Sequence, residues 1–246
     1  MENDIWQKRA PVYDKLEWVH RNDFLDFFVN VCEVQKNYSA LDIGCGTGIV
    51  GELLSKQVRL FIGIDNSHFM IREAKRKIST NDRCGYYVIQ DAQMLGFPDN
   101  TFDLVTARMC FHHIDNVEKG LRETYRVLKP GGRLVLCEGV PPDELVKKRY
   151  EEIFALKEKR HTFLETDLVN YLIKSDYKNI KVTPYYMQRV SLINWLCNSA
   201  TEESVSKQII RLHQEADAHF KDIYRIEILE HDIIMDWKFI ILTGKK

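Results

Sequence analysis

The chain has 246 residues, with 35 Lys and Arg against 36 Asp and Glu, for a formal charge of −1. That length suits a single α/β domain with insertions, and 45% hydrophobic residues supply a real core, which excludes intrinsic disorder. The balanced charge argues against a protein built mainly to grip a nucleic-acid backbone.

The acidic start, Met1-Glu-Asn-Asp-Ile5, has no basic n-region and does not read as a signal peptide. No run approaches the ~20 apolar residues that span a bilayer. The six cysteines, Cys32, Cys45, Cys84, Cys110, Cys137 and Cys197, include no C-x-x-C pair, so they read as reduced thiols of a cytoplasmic protein.

Residues 39–43 form the first strand, which ends in a glycine cluster and is followed by a helix over 49–56. A second strand, 60–64, ends at Asp65 and leads into a helix over 67–78. A third, 86–90, ends at Asp91. A fourth, 102–106, precedes a helix over 117–128. A turn at Lys129-Pro-Gly-Gly132 then introduces a fifth strand over 133–137. Strands separated by helical stretches predict βαβ units, a doubly wound parallel sheet with helices on both faces.

Pro141-Pro142 marks a change of pattern. A charged helix over 143–160 and another over 165–174 follow. Runs at 180–190, broken by Pro184, and at 233–243 predict an antiparallel pair at one end of the sheet. Between them lies a helical insertion. Its stripe of Val205, Ile209, Leu212, Ala216, Phe220 and Ile223 has helical spacing.

Ligands of open α/β sheets bind at the carboxyl ends of the strands. Gly46-Thr-Gly48-Ile-Val-Gly51 matches the dinucleotide pattern G-x-G-x-x-G, with Asp65 at the next strand end, so a nicotinamide-dependent oxidoreductase is one reading. Asp42 before the glycines and Asp91 on a third strand weigh against it. Three carboxylates with no basic residue nearby make a poor pyrophosphate pocket but a good one for a cationic nucleoside such as S-adenosyl-L-methionine.

Seven motifs stand in order: Ala10-Pro-Val-Tyr-Asp14; Leu41-Asp-Ile-Gly-Cys-Gly-Thr-Gly48; Gly63-Ile-Asp-Asn-Ser67 with Met70; Asp91-Ala92 with Leu95-Gly-Phe-Pro-Asp99; Phe102-Asp-Leu-Val105; Phe111-His-His-Ile114; and Arg126-Val-Leu-Lys-Pro-Gly-Gly132. In these the sequence resembles the class I S-adenosylmethionine-dependent methyltransferases. It looks most like the small-molecule group that includes the ubiquinone/menaquinone C-methyltransferases, from about Tyr13 to Val140. The resemblance implies a Rossmann-like seven-stranded sheet, mostly parallel with an antiparallel C-terminal strand. It also implies S-adenosyl-L-methionine as cofactor and a small-molecule acceptor. Within a single domain, residues 1–38 would close the cofactor site and 39–140 would bind the cofactor. Helical caps at 141–162 and 191–230 would form the acceptor pocket or a homodimer contact.

The resemblance assigns roles that the chemistry supports. The turn of Gly44, Cys45, Gly46 and Gly48 would cradle the methionine moiety, with Asp42 facing its ammonium. Asp65 would accept from both ribose hydroxyls. Asn66 and Met70 would flank the adenine, Asp91 would accept from its amino group, and the Ala92 amide would donate to its ring. Tyr13 would close over the cofactor. The structural alternatives are helix N-caps or turn acids for Asp42 and Asp91, core packing for Met70 and a surface aromatic for Tyr13.

A base is needed only where the acceptor carries a proton at transfer. His112 and His113 follow the fourth strand, and in several related methyltransferases a histidine just before this Ile/Val faces the acceptor, which favours His113. A loop-holding role is the alternative. Arg108 would bind the cofactor carboxylate or an anionic acceptor, or else form a salt bridge. Glu138 would contact an acceptor amine or hydroxyl. The cap gathers Tyr150, Phe154, His161, Phe163, Tyr185, Tyr186, Trp195, His213, His219 and Phe220, with Tyr150 and Trp195 taken as acceptor contacts. His213 and Asp217 have metal-compatible spacing on one helix face, but no third ligand is in evidence, so no metal is predicted. An RNA methyltransferase would draw on Lys147-Lys-Arg149 with Lys157, Lys159 and Arg160, whose interspersed glutamates read instead as a solvated helix. A cofactor-binding protein without turnover is the remaining alternative.

Overall fold

The computed structural model describes residues 2–77 and 85–246. Ile78, at the end of a predicted helix, and Cys84 lie outside them. The strands are β1 (Ser39–Ile43), β2 (Leu60–Asp65), β3 (Gly85–Ile89), β4 (Phe102–Arg108), β5 (Leu128–Gly139), β6 (Lys178–Ser191), β7 (Glu227–Ile228) and β8 (Ile233–Lys245). Every residue of β1 is buried, as its continuous run requires of a central parallel strand. Its Leu41 lies opposite Ile62 of β2 and Val105 of β4.

The sheet runs in the order β3-β2-β1-β4-β5-β8-β6. Its first five strands are parallel, and β8 is antiparallel to both β5 and β6. The seven-stranded doubly wound architecture is therefore as the sequence predicts. The short β7, which pairs with β8, is an addition. Pro184 lies on the edge strand β6, where its missing N–H costs little.

Helices cover both faces. On one, α2 (Asn22–Cys32), α3 (Ile49–Leu54) and α4 (His68–Lys77) bury Phe28, Leu54 and Ile71 against Phe61 and Val135. On the other, α5 (Val117–Val127) and α7 (Glu165–Lys174) bury Leu121 and Leu172 against Leu41 and Leu134. A third cluster belongs to the cap. There α6 (Glu144–Lys157), α8 (Leu192–Asn198), α9 (Glu203–Gln214) and α10 (Ala218–Tyr224) enclose Ile153, Leu196, Ile209 and Phe220. The N-terminal helix α1 (Glu2–Arg9) precedes two short 3-10 turns, Tyr13–Lys15 and Glu17–His20.

Two local expectations are corrected. Lys129–Gly132 is not a turn before β5 but a bulge within it. Leu128 pairs with Phe102 and Arg133 with Leu104, and Gly131 absorbs the extra length at φ +78°. His213 and Asp217 do not share a helix face either. Helix α9 ends between them, and the Asp217 carboxylate accepts from Phe220 N at 2.9 Å to cap α10. His213 is buried, its Nδ1 2.8 Å from the Ile209 carbonyl. Among the described residues no three His, Cys, Asp or Glu side chains converge as a metal site, and no helix is long and apolar enough to cross a membrane. The five described cysteines are free, four of them buried.

Candidate active site

The carboxyl ends of β1 to β4 open on one cavity, and α1 and the first 3-10 turn complete its wall through Trp6 and Tyr13. After β1 the chain turns at Gly44, φ +62°, where a β-carbon would collide with Cys110. Glycine is required there both for its backbone and for its missing side chain. Gly46 faces the cavity. At the end of β2, Asp65 accepts from Gly46 N at 3.0 Å and from Ser67 N at 2.8 Å, and it lines the cavity. Burial pushes its carboxyl up to about 6 against those two N–H donors. Asn66, Met70, Asp91, Ala92, Arg108 and His113 line the same space. Asp91 also accepts from Gln93 N at 2.8 Å, so one oxygen holds its own turn while the side chain borders the cavity.

Three of the predicted cofactor contacts do not reach this surface. Asp42 is only 1% exposed and accepts from Thr106 Oγ1 at 2.6 Å, one layer beneath the glycines. Cys45 is buried, its amide tied to the Ile64 carbonyl at 2.8 Å. Gly48 starts α3 and, like Gly51, packs against Tyr87. Two glycines of the apparent dinucleotide pattern thus serve packing.

A second cavity, about 1040 Å³ of space between atoms with its mouth included, lies under the cap. Its aromatic wall includes Trp18, Tyr150, Phe154, Trp195, Trp237 and Phe239. The predicted contacts Tyr150 and Trp195 are here, while Tyr185 instead donates to Asp23 at 2.7 Å and Tyr186 is 60% exposed. Trp6, Tyr13, Met109 and His113 line both cavities. Met109 holds a left-handed φ of +56°, and its sulfur accepts from Gly139 N at 3.2 Å, which fixes the thioether on this shared wall. Trp6 meets His113 edge to face at 5.1 Å.

Glu138, read from the sequence as an acceptor contact, lines neither cavity. Fully buried behind the second cavity, it accepts from Phe111 N at 2.7 Å, and its Oε2 lies 2.6 Å from His112 Nδ1. Burial raises its carboxyl to about 7, opposed by Arg160 and the Phe111 amide. His112 lines the second cavity, oriented by that carboxylate, and His113 borders both cavities. Burial keeps both imidazoles well below their usual pKa and therefore neutral.

The basic run of α6 behaves unlike a solvated helix. Lys147 pairs with Asp167 at 3.1 Å, and Arg149 donates to the Leu212 carbonyl at 2.9 Å. The helix ends at Lys157, and the chain then turns inward. Lys157 and Arg160 are 3% and 10% exposed and flank Glu158 at 3.5 and 3.7 Å. Arg9 of α1 pairs with the same carboxylate, and its Nε donates to the Ser199 carbonyl at 2.7 Å. Of this run Lys148 and Lys159 are exposed, eleven positions apart and interspersed with glutamates, which is not a basic stripe for RNA. Arg108 makes no ion pair among the described residues; its guanidinium lies 5.4 Å over Trp18.

The family described as a methyltransferase domain matches residues 41–136. A demethylmenaquinone methyltransferase of Symbiobacterium thermophilum is 32% identical over 214 residues, covering 81% of this chain and 80% of that protein. The ubiquinone/menaquinone biosynthesis C-methyltransferase UbiE of Pseudoalteromonas translucida is 31% identical over 167 residues, 61% of this chain and 64% of that protein, just under two thirds of its length. Among solved structures, the YcgJ protein of Bacillus subtilis superposes with a TM-score of 0.81 at 25% identity, covering 92% of this chain and 99% of that one.

Proposed function

The chain belongs to the class I S-adenosyl-L-methionine-dependent methyltransferases, and from that premise we propose that it methylates a small, ring-bearing acceptor held in the aromatic cavity beside the cofactor site. The observation that carries this reading is the wall of Trp6, Tyr13, Met109 and His113 common to both cavities. These four side chains border both spaces, so the cavities meet beside them and an acceptor in one can face the methyl group of a cofactor in the other; most of the rate of such a transfer comes from proximity and orientation. The demethylmenaquinone methyltransferases, whose name describes a ring acceptor, are consistent with the aromatic lining.

When bound, S-adenosyl-L-methionine supplies an activated methyl group on a positively charged sulfur. The residues present fit it. Asp65 uses two lone pairs on backbone amides and keeps the rest for a diol. Gly44 and Gly46 let a ligand approach the backbone, Met70 and Ala92 offer an apolar slot, and Arg108 offers an unpaired cation to a carboxylate. Trp6 and Tyr13 exclude water from above. For a hydroxyl acceptor, His112 takes the proton on Nε2, because Glu138 engages Nδ1; His113, the histidine that the sequence favours, borders both ligands.

The test is calorimetric binding of 2-naphthol, a neutral two-ring probe, to protein saturated with S-adenosyl-L-homocysteine. Binding that Trp195→Ala weakens by about tenfold supports the assignment. Absence of binding, or equal binding to both proteins, overturns it.

A further inference from the structure

Resting on the methyltransferase reading above, we infer that the acceptor carries an oxyanion, a carboxylate or a phosphate, that seats against Lys157 and Arg160 at the cap end of the aromatic cavity. The first ground is the charge of the lining. Arg9, Lys157, Arg160 and Lys238 face the cavity, and Glu158 is the one carboxylate among its lining residues. Lys238 has its own partner outside, Glu165 at 3.4 Å. The other three cations share Glu158. Glu138, the next nearest carboxylate, is committed to the Phe111 amide and to His112. The histidines on the lining, His112, His113 and His213, are held below their usual pKa by burial and add no charge at neutral pH.

A latch between α1 and the end of α6 needs one ion pair, and Arg9 with Glu158 supplies it. It does not explain why Lys157 and Arg160 are also taken out of water, which is costly for a cation without an anion of its own. Beyond Glu158 they face rings, Trp195 at 4.8 Å from Lys157 Nζ and Phe154 at 4.0 Å from the Arg160 guanidinium, and Arg160 Nε donates to the His161 carbonyl at 3.4 Å. Those contacts attract a cation but do not neutralise it. Burial, reinforced by Arg9 and Arg160 and opposed by Glu158, pushes the Lys157 ammonium down to about 7, so at neutral pH it is only partly charged and an anion seated beside it would restore its full charge. The second ground is Trp18. It is 7% exposed and lines the cavity, and its indole N–H has no hydrogen-bond partner. An unpartnered buried donor on a residue that lines the cavity leaves a hydrogen bond open to an acceptor oxygen on the ligand.

The experiment measures dissociation constants of 2-naphthoate, 2-naphthyl phosphate and neutral 2-naphthamide on the full chain, with and without S-adenosyl-L-homocysteine. At least one anion is expected to bind about tenfold more tightly than the amide, and the tighter of the two identifies the oxyanion. In Lys157→Met with Arg160→Met that advantage is expected to vanish while amide binding is kept. An amide that binds as tightly as both anions to the wild-type protein overturns the inference even where the variant fails to fold, and so does an advantage that survives in a folded variant. Failure of S-adenosyl-L-homocysteine to bind counts against the methyltransferase reading alone, since the anion comparison is also read without it.

Discussion

His112 Nδ1 and Glu138 Oε2 lie 2.6 Å apart, both residues buried, at the carboxyl ends of neighbouring strands. The carboxylate fixes the imidazole as the tautomer that carries its proton on Nδ1 and leaves Nε2 free to accept one. Glu138→Gln keeps the shape but places an amide N–H against Nδ1, which forces the opposite tautomer. With a hydroxyl acceptor, kcat is expected to fall by about tenfold to a hundredfold with KM little changed. Steady-state kinetics check this; an unchanged kcat would remove His112 as proton acceptor.

Thr47 Oγ1 donates to Asp14 Oδ1 at 2.6 Å, and Lys77 pairs with the same carboxylate. These contacts tie the segment bearing Tyr13 to the glycine loop. Asp14→Ala is expected to speed S-adenosyl-L-homocysteine release by about fivefold to tenfold, seen by stopped-flow fluorescence, with a smaller change in association.

Gly51 lies within α3 under the ring of Tyr87, where a β-carbon would overlap the phenol oxygen. Gly51→Ala is expected to cost about 1–3 kcal/mol in chemical denaturation through overpacking. Adding Tyr87→Phe should recover part of that loss. A neutral or stabilising Gly51→Ala would show that the sheet face is looser than this packing implies.

Burial pushes the Asp42 carboxyl up to about 7, with Thr106 and Arg108 opposing, against 3.8 for the ordinary group. Between about pH 4 and pH 7 the folded chain therefore keeps a proton that the unfolded chain has lost. The associated stability is fully present below that window and is lost as pH rises through it. Asp65 adds the same sign over a narrower range, its carboxyl standing at about 6. The buried His112, His113 and His213, held low, contribute the opposite sign in both proteins, so the prediction is a difference: the Tm of Asp42→Asn should gain on that of the wild type as pH rises from 4 to 7. An identical slope in the variant would contradict it.

The parallel half of the sheet is legible in the sequence because β1, β2 and β3 are short apolar runs followed by glycine or an acid, and those ends line the first cavity together with Arg108 at the end of β4. The cap is less legible. Met235, Trp237 and Phe239 line the acceptor cavity from alternate positions of β8, a period-two signal that is present in the sequence. Trp6 sits in a polar helix with no apolar stripe to mark it. Lys157 and Arg160 look solvated if the helix runs on to residue 160; instead α6 ends at Lys157, whose side chain is buried, and the extended backbone at Glu158 brings Arg160 in beside it. Asp42 and Glu138 stand at strand ends as a ligand contact would, yet each spends its hydrogen bonds on a protein neighbour.

The most direct measurement is calorimetric titration of S-adenosyl-L-homocysteine into the wild-type protein and into Asp65→Ala. One molecule per chain should bind the wild type, with affinity falling about tenfold to a hundredfold in the variant as the acceptor for the ribose hydroxyls is lost. Equal affinity in the two proteins, or no binding to the wild type, would contradict the assignment of this cavity to the cofactor.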